Sequence, residues 1–238
     1  MKKLGVNIDH IATLRNARGE DHPNILFAAK YAFKKGADSI TIHLREDRRH
    51  IKDYDLRQIV KTKIPLNLEL AASKSMVKIA LKNKPNFVCI VPEKREELTT
   101  EGGLNLNHKR VLLKKIIHKL KKNKCRVSLF IEPSLKDVKD SKVLNADCIE
   151  IHTGKFCNLV NERKSFTKEL EKIKNAVNLG NKIGLEVHAG HGLTYKSSKI
   201  LAKVSNINEF NIGHFLIGES IFIGLKKTIK EFKKILKV

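Results

Sequence analysis

Residues 39–50 read SITIHLREDRRH, so that a stretch typical of a buried strand runs directly into a cluster of charges. The first half is apolar and β-branched, as strands tend to be. The second half holds three arginines, two acidic residues and a histidine. A solvated turn is the simpler interpretation, because charge runs usually face water. The ends of the other predicted strands decide between a turn and a site.

Strand-like runs recur along the whole chain, and an amphipathic helix-like segment follows each of them. The predicted strands are LGVNI (4–8), SITIHL (39–44), IPLNLEL (64–70), NFVCIV (86–91), RVSLFI (126–131), DCIEIH (147–152), IGLEVH (183–188) and FNIGHFLIG (210–218). Eight strand–helix units in 238 residues predict one (β/α)8 TIM barrel, with residues 1–238 as a single catalytic domain. A doubly wound sheet is the alternative, but no glycine-rich dinucleotide fingerprint follows the first strand.

The composition is strongly basic, with a formal net charge of +23. The lysines spread along the polar faces of predicted helices and aromatic residues make up only 5%, so we predict no nucleic-acid partner. No apolar run is long enough for a membrane span, and the start MKKLGVNIDH lacks the apolar core of a signal peptide. The four cysteines form no Cys-x-x-Cys pair. We therefore expect no membrane partner and a cytoplasmic protein.

The predicted strands end in polar and ionisable residues. Because the active sites of TIM barrels lie at the carboxyl ends of the strands, these residues are expected to meet at one rim. They are Asn7, Asp9, His10, His43, Arg45, Asn67, Glu69, the run Pro92-Glu93-Lys94-Arg95, Glu150, His152, Glu186, His188, His191, Asn211, Gly213 and His214. One such residue is unremarkable, but so many at seven strand ends predict an active site, to which the charged stretch 45–50 belongs.

The residue types at this rim suit phosphate and proton transfer. Guanidinium groups and free backbone N–H groups bind phosphate, and candidates are Arg18, Arg45, Arg48, Arg49 and the glycines at 190, 192, 213 and 218. Carboxylates and imidazoles can move protons near neutral pH. A metal-dependent hydrolase or lyase acting on a phosphorylated substrate is the main alternative, because His and Glu also bind metals. A Schiff-base lysine is a further one, with Lys94 and Lys155 nearest to strand ends.

Residues 91–105, VPEKREELTTEGGLN, form a long polar segment that ends in two glycines. This is the profile of a mobile lid with a glycine hinge, and equally that of an ordinary surface loop.

Eight motifs resemble those of the pyridoxine 5'-phosphate synthase family, in order along the chain. They are GVNIDHIATLRNARG (5–19), HLREDRRHI (43–51), NLE (67–69), VPEKREELTTEGGL (91–104), FIE (130–132), IEIHTG (149–154), AGHGLTY (189–195) and NIGH (211–214). The resemblance implies a (β/α)8 barrel with additional short helices, assembled as a homo-octamer. It implies condensation of 3-amino-2-oxopropyl phosphate with 1-deoxy-D-xylulose 5-phosphate to pyridoxine 5'-phosphate, phosphate and water. It implies neither a metal nor an organic cofactor.

The resemblance also implies a role for individual residues. His43 and Glu69 match proton acceptors, His191 matches a proton donor, and Glu150 matches a residue that stabilises a charged transition state. Ligands of the aminoketone phosphate are implied at Asn7, Arg18, Gly192, Gly213 and His214. Ligands of the deoxyxylulose phosphate are implied at Asp9, His10, Arg45, His50 and Thr99. One departure is His188, where the family commonly has asparagine; it adds a titratable group that we expect beside the aminoketone phosphate site.

Overall fold

Eight parallel strands close into a barrel, because the first strand pairs with both the second and the eighth. The structure is a computed structural model that describes residues 1–93, 102–108 and 110–237. The strands are β1 (Lys3–Asn7), β2 (Ser39–His43), β3 (Leu66–Leu70), β4 (Phe87–Ile90), β5 (Arg126–Ile131), β6 (Cys148–His152), β7 (Glu186–Gly190) and β8 (Glu209–Ile212). The predicted TIM barrel is confirmed.

Helices surround the barrel on its outer side. In the described residues they are α1 (Asp9–Arg18), α2 (Ile25–Lys34), α3 (Asp53–Ile59), α4 (Lys74–Asn83), α5 (Arg110–Lys122), α6 (Leu135–Val143), α7 (Gly154–Asn161), α8 (Thr167–Lys182), α9 (Tyr195–Leu201), α10 (His214–Ile223) and α11 (Leu225–Ile235). Three of them are the additional helices that the resemblance implies: α1, α7 and α10 each begin within two residues of a strand end. Their N-termini therefore lie at the rim where a TIM barrel has its active site.

The strands alternate between aliphatic and polar side chains. The aliphatic ones point outward to the helices: a Cβ atom on Gly180 of α8 would lie 2.8 Å from the side chain of Val187. The polar ones point into the barrel, where Ser39 donates a hydrogen bond to Glu209 at 2.9 Å. TIM barrels usually fill this interior with branched aliphatic residues. Here the hydrophobic core lies between sheet and helices, and the barrel interior is polar.

The predicted eighth strand (210–218) is wrong in its second half. β8 ends at Ile212, Gly213 leaves the strand conformation with φ −120° and ψ −87°, and α10 begins at the next residue. α10 is apolar on nearly every side, and a short apolar run of this kind cannot be told from a strand by periodicity. The helix-like segment predicted after this strand belongs to two helices, and Gly224 with φ +83° lies between α10 and α11.

No helix in the described part of the chain is both long enough and apolar enough to cross a membrane.

Candidate active site

A cavity of about 1360 Å³ opens at the carboxyl ends of the strands. Most of the residues predicted from the sequence line it. These are Asn7, Asp9, His10, His43, Arg45, Glu69, Glu150, His191, Gly192, Gly213 and His214. They lie on β1, β2, β3 and β6 and in the segments that follow β1, β2, β7 and β8, so the barrel brings distant parts of the chain to one place.

Three of the residues to which the resemblance gives a catalytic or binding role are missing from this set. Thr99 lies outside the described residues. His50 does not line the cavity but adjoins a residue that does, with its Nδ1 3.9 Å from Oδ1 of Asp9. Arg18 ends α1, about 14 Å along the helix axis from its first residue, and its side chain is 79% exposed beside Glu20. A role for Arg18 in this cavity therefore stays a prediction.

The three arginines of the stretch 45–50 have different surroundings. Arg48 pairs with Asp53 at 2.7 Å and Arg49 pairs with Asp47 at 2.6 Å, and neither lines the cavity. Arg45 lines it, and its Nε is buried without a hydrogen bond in the described part of the chain, 3.7 Å from Asp47. A buried guanidinium N–H needs a partner, so Arg45 is placed to receive an anionic ligand.

His43 lies between two carboxylates. Its Nε2 is 2.9 Å from Oε1 of Glu93, and its Nδ1 is 3.8 Å from Oε2 of Glu69 on the neighbouring strand. The second oxygen of Glu93 accepts a hydrogen bond from the backbone N–H of Glu46 at 2.9 Å. Burial alone would raise the pKa of Glu93, but its hydrogen bonds with His43 and Glu46 lower it. Glu93 therefore orients the imidazole of His43.

Glu69 is largely buried near the end of β3, with 15% of its side chain exposed. Burial raises the pKa of its carboxyl well above the ordinary value, and the charges of Glu150 and Asp9 raise it further. A carboxylate with a raised pKa is a stronger base, and its protonated form can return the proton near neutral pH. This environment supports the proton-acceptor role predicted for Glu69.

Glu150 is held by its neighbours in the barrel. Asn211 donates a hydrogen bond from Nδ2 to Oε2 of Glu150 at 2.7 Å. Burial raises the pKa of Glu150 to about 7, although the nearby His188 and the bond from Asn211 both lower it. Gly190 provides the space for this carboxylate, because a Cβ atom there would lie 1.9 Å from Oε1 of Glu150.

His188 lies in the barrel interior and is not among the residues that line the cavity, contrary to the expectation that it adjoins a phosphate site. Its Nε2 is 2.9 Å from Oε1 of Glu186, which also forms an ion pair with Arg126. The hydrogen bond with His188 and the guanidinium of Arg126 outweigh burial and hold the pKa of Glu186 at about 2. His188 therefore lies between this ion pair and Glu150, whose pKa it lowers.

The first turn of α1 brings Asn7 and Asp9 together. Asn7 donates from Nδ2 to Asp9 at 2.9 Å, and Asp9 accepts the backbone N–H of His43 at 2.8 Å. Burial raises the pKa of Asp9 to about 6, against the lowering effect of His43. His10 packs edge-on against His214 with ring centroids 4.9 Å apart, and burial, followed by the charge of His214, lowers the pKa of His10.

Two glycines shape the side of the cavity formed by β7 and β8. Gly192 has φ +76°, and a Cβ atom on it would lie 3.1 Å from Cβ of Cys157. Gly213 precedes α10, and a Cβ atom on it would lie 3.1 Å from Asn7. His191 adopts φ +74°, which is unusual for a residue other than glycine and typical of functional sites. The N-terminus of α10 thus presents unobstructed backbone N–H groups, which suit a phosphate.

One group of side chains in the described residues could hold a metal ion. It consists of Asp9, His43 and His50, whose possible ligand atoms lie within 4.8 Å of one another. The two carboxylate oxygens of Asp9, however, already accept hydrogen bonds from His43 and Asn7. Arg45 is near enough to lower the pKa of Asp9 and would repel a cation. The surroundings fit hydrogen bonding and proton transfer better than metal binding.

The predicted closing loop lies mostly outside the described residues, because 94–101 are not described. At its end, Gly102 lines the cavity and has φ +118°. A larger residue at this position would place its Cβ atom tightly against the ring of His152. The N–H of Gly103 donates to Oε1 of Glu132. The end of the segment is therefore attached to the barrel at β5 and β6.

Sequence reasoning assigned no role to Glu93, Glu132 or His152, although all three stood within quoted motifs or strand ends. Glu132 lies two residues after Phe130 and His152 lies two residues after Glu150, which is the spacing that keeps the side chains of a strand on one face. That spacing could have placed them at the rim. Their partners could not be found in this way, because they belong to other strands.

A polar cavity at the carboxyl ends of a TIM barrel, with a guanidinium group, backbone N–H groups and carboxyls of raised pKa, defines an enzyme that acts on a small anionic substrate by acid–base chemistry. The chain belongs to the family of the pyridoxal phosphate biosynthesis protein PdxJ, whose family model matches residues 4–238.

Relatives cover nearly the whole chain. It is 60% identical over 236 residues to the pyridoxine 5'-phosphate synthase of Pelagibacter ubique, covering 99% of each chain. It is 53% identical to the enzyme of that name from Syntrophotalea carbinolica, covering 98% of each. Among solved structures, N-(5'-phosphoribosyl)anthranilate isomerase from Pyrococcus furiosus superimposes with a TM-score of 0.61 over 100% of this chain and 99% of the isomerase chain. The two sequences are 15% identical, so this similarity shows the fold alone.

Proposed function

We propose that the protein is a pyridoxine 5'-phosphate synthase. The observation that carries the proposal is that the residues implied by the family resemblance as acid–base groups, His43, Glu69, Glu150 and His191, all line one cavity. They do so in a chain that belongs to the PdxJ family over nearly its full length. That the whole chain is one catalytic domain and acts in the cytoplasm stays part of the proposal.

The proposed substrates are 3-amino-2-oxopropyl phosphate and 1-deoxy-D-xylulose 5-phosphate. Two phosphorylated substrates need two anion-binding regions, and two groups of residues in the cavity support this assignment. Arg45 lies on the β2 side with an unsatisfied N–H, and Gly192 and Gly213 lie on the β7–β8 side at backbone N–H groups. The aminoketone phosphate is assigned to the glycine side and the deoxyxylulose phosphate to the side of Arg45.

The same cavity holds the groups that would move protons. Ring closure joins an amine to a ketone, forms a carbon–carbon bond and expels phosphate and water, so protons must be removed and returned several times. Glu69 and His43 are assigned as acceptors, and His191 as a donor. Burial, followed by the charge of His152, lowers the pKa of His191, which makes its protonated form a stronger acid.

The direct test mixes purified protein with the two proposed substrates and follows the formation of pyridoxine 5'-phosphate by its absorbance. Product formation that depends on both substrates supports the proposal. Folded protein that forms no product from freshly prepared substrates would overturn it.

A metal-dependent hydrolase or lyase is the rival function, and chelation separates the two. We expect turnover to survive dialysis against EDTA unchanged, because Asp9 already uses its oxygens in hydrogen bonds and Arg45 disfavours a cation nearby. Activity should be measured before and after dialysis, and again after adding Mg²⁺, Mn²⁺ or Zn²⁺. A loss that only one of these ions restores would make Asp9, His43 and His50 metal ligands.

A homo-octamer is part of the proposal, and α10 offers a surface for subunit contacts. Ile221 and Phe222 are 74% and 84% exposed near its end. Neighbouring α1 adds Leu14, which is 59% exposed. Large apolar side chains grouped at the surface mark interaction sites more often than isolated ones do. A second copy of the chain would cover them.

We expect the double variant Ile221→Ser, Phe222→Ser to reduce the molecular mass in solution to that of a smaller assembly, because it removes apolar area from the proposed contact. Size-exclusion chromatography with light scattering measures this directly. Val111→Ser is the matched control, since Val111 is 70% exposed on α5 and should leave the mass unchanged. An unaltered mass in the double variant would remove α10 from the contact.

A further inference from the structure

A second imidazole, that of His152, lines the cavity beside His191. The two ring centroids are 5.0 Å apart, with an angle of 56° between the planes, and both rings pack against Phe130. We infer that His152 is a further acid–base residue of the reaction and that Glu132 is its positioning residue. This inference rests on the proposed function.

The hydrogen bonds of Glu132 determine which nitrogen of His152 carries hydrogen. Oε1 of Glu132 accepts the backbone N–H of Gly103, which can only donate. The same oxygen is 3.0 Å from Nδ1 of His152. With the carboxylate ionised, Nδ1–H must be the donor, and in the neutral ring Nε2 then keeps the lone pair. A carboxylate that fixes the tautomer of a histidine in this way is a recurring device of acid–base sites.

Nε2 of His152 is open towards the cavity. Gly154 makes this possible, because a Cβ atom there would lie 2.7 Å from Nε2 of His152 and 3.0 Å from Cδ2 of His191. Nε2 makes no hydrogen bond with any residue in the described part of the chain. A ligand in the cavity could therefore approach the basic nitrogen directly.

The charges around the two rings suit opposite tasks. The carboxylate of Glu132 lies 3.0 Å from Nδ1 of His152, so an imidazolium formed by protonation at Nε2 has a counter-ion beside it. That positive charge in turn disfavours a second one on His191, whose pKa is lowered by burial and then by His152. One ring can accept a proton while the other gives its proton up.

The proton transfer is balanced without any further reactant. Nε2 of His152 takes a proton from a C–H bond of a bound intermediate, and the electron pair of that bond stays on the intermediate. Glu132 remains a carboxylate throughout. The imidazolium later gives the proton to a departing hydroxyl, which leaves as water, and His152 returns to its neutral form. The proposed condensation expels water, so it contains such a pair of steps.

The alternative is that Glu132 and His152 only hold the backbone at Gly103. Glu132→Gln separates the two interpretations, because the amide Oε1 can still accept both hydrogen bonds while the negative charge is lost. We expect turnover about 10²-fold lower in His152→Gln and about 10-fold lower in Glu132→Gln, with apparent KM values for both substrates changed by less than about threefold. The double variant should be no slower than His152→Gln, because Glu132 acts through His152.

Added imidazole should raise the turnover of His152→Gly at least about tenfold, since the cavity is large enough to admit it. His118→Gln is the matched control, because His118 lies exposed on α5 and should be without effect. Turnover of His152→Gln within twofold of wild type, or fully additive losses in the double variant, would overturn the inference while leaving the proposed function intact.

A measurement without substrate completes the test. In ¹⁵N NMR of histidine-labelled protein, the ring of His152 should show a protonated Nδ1 and an unprotonated Nε2, identified by comparison with His152→Gln. The opposite tautomer would overturn the inference. This measurement needs no substrate, so its outcome is independent of whether the protein forms pyridoxine 5'-phosphate.

Discussion

Replacing Glu69 with glutamine should lower turnover about 10²-fold or more, which is the usual scale for loss of a general base. Glutamine keeps the shape of the side chain and its capacity for hydrogen bonds but cannot take up a proton. The steady-state rate of pyridoxine 5'-phosphate formation measures the effect. Binding of either substrate, followed by calorimetry, should change little, because the roles assigned to binding belong to other residues.

The thermal stability of Glu69→Gln distinguishes a base from a structural carboxylate. Burial raises the pKa of Glu69, so protonation favours the folded state, and its contribution to stability is lost as the pH rises through that raised pKa. Glutamine removes this loss, and Tm at neutral pH should equal or exceed that of wild type. A lower Tm with near-normal turnover would show that Glu69 serves as an ion-pair partner of His43. Glu171→Gln, at an exposed position on α8, is the control that should leave turnover unchanged.

Replacing Gly190 with alanine should also lower turnover about 10²-fold or more, although it adds a single methyl group. That carbon would lie 1.9 Å from Oε1 of Glu150. Non-bonded atoms cannot approach so closely, so the carboxylate must move. The movement breaks the hydrogen bond from Asn211, which is 2.7 Å long. Overpacking of this kind typically destabilises a protein by about 1–3 kcal/mol, so Tm should fall as well.

A double-mutant cycle shows whether Glu150 is the cause. Glu150→Ala removes the side chain that the new methyl group would meet, so Gly190→Ala should cost much less stability in that background than in wild type. Denaturant unfolding of the four proteins supplies the comparison. Equal losses of stability in both backgrounds would mean that the strand itself, and not Glu150, resists the methyl group.

Much of the site could be predicted from the chain because a parallel barrel places all strand ends at one rim. Once SITIHL and its counterparts are recognised as strands, the residues after them must be neighbours, however far apart they are in sequence. His43 and Glu69 therefore adjoin, as their pairing in neighbouring strands shows. The boundary between β8 and α10 could not be predicted, because an apolar run before a glycine fits both structures.

The sequence by itself determined the barrel, the end at which its cavity lies and most of the residues that line that cavity. These follow from local patterns, namely the spacing of apolar side chains and the polar residues after each strand. Only the tertiary structure decided which of three adjacent arginines faces the cavity, that Glu93 holds His43, and that Glu132 holds His152. Such pairings depend on distances between side chains from different strands and on the ion pairs that Arg48 and Arg49 form at the surface, and no local pattern contains that information.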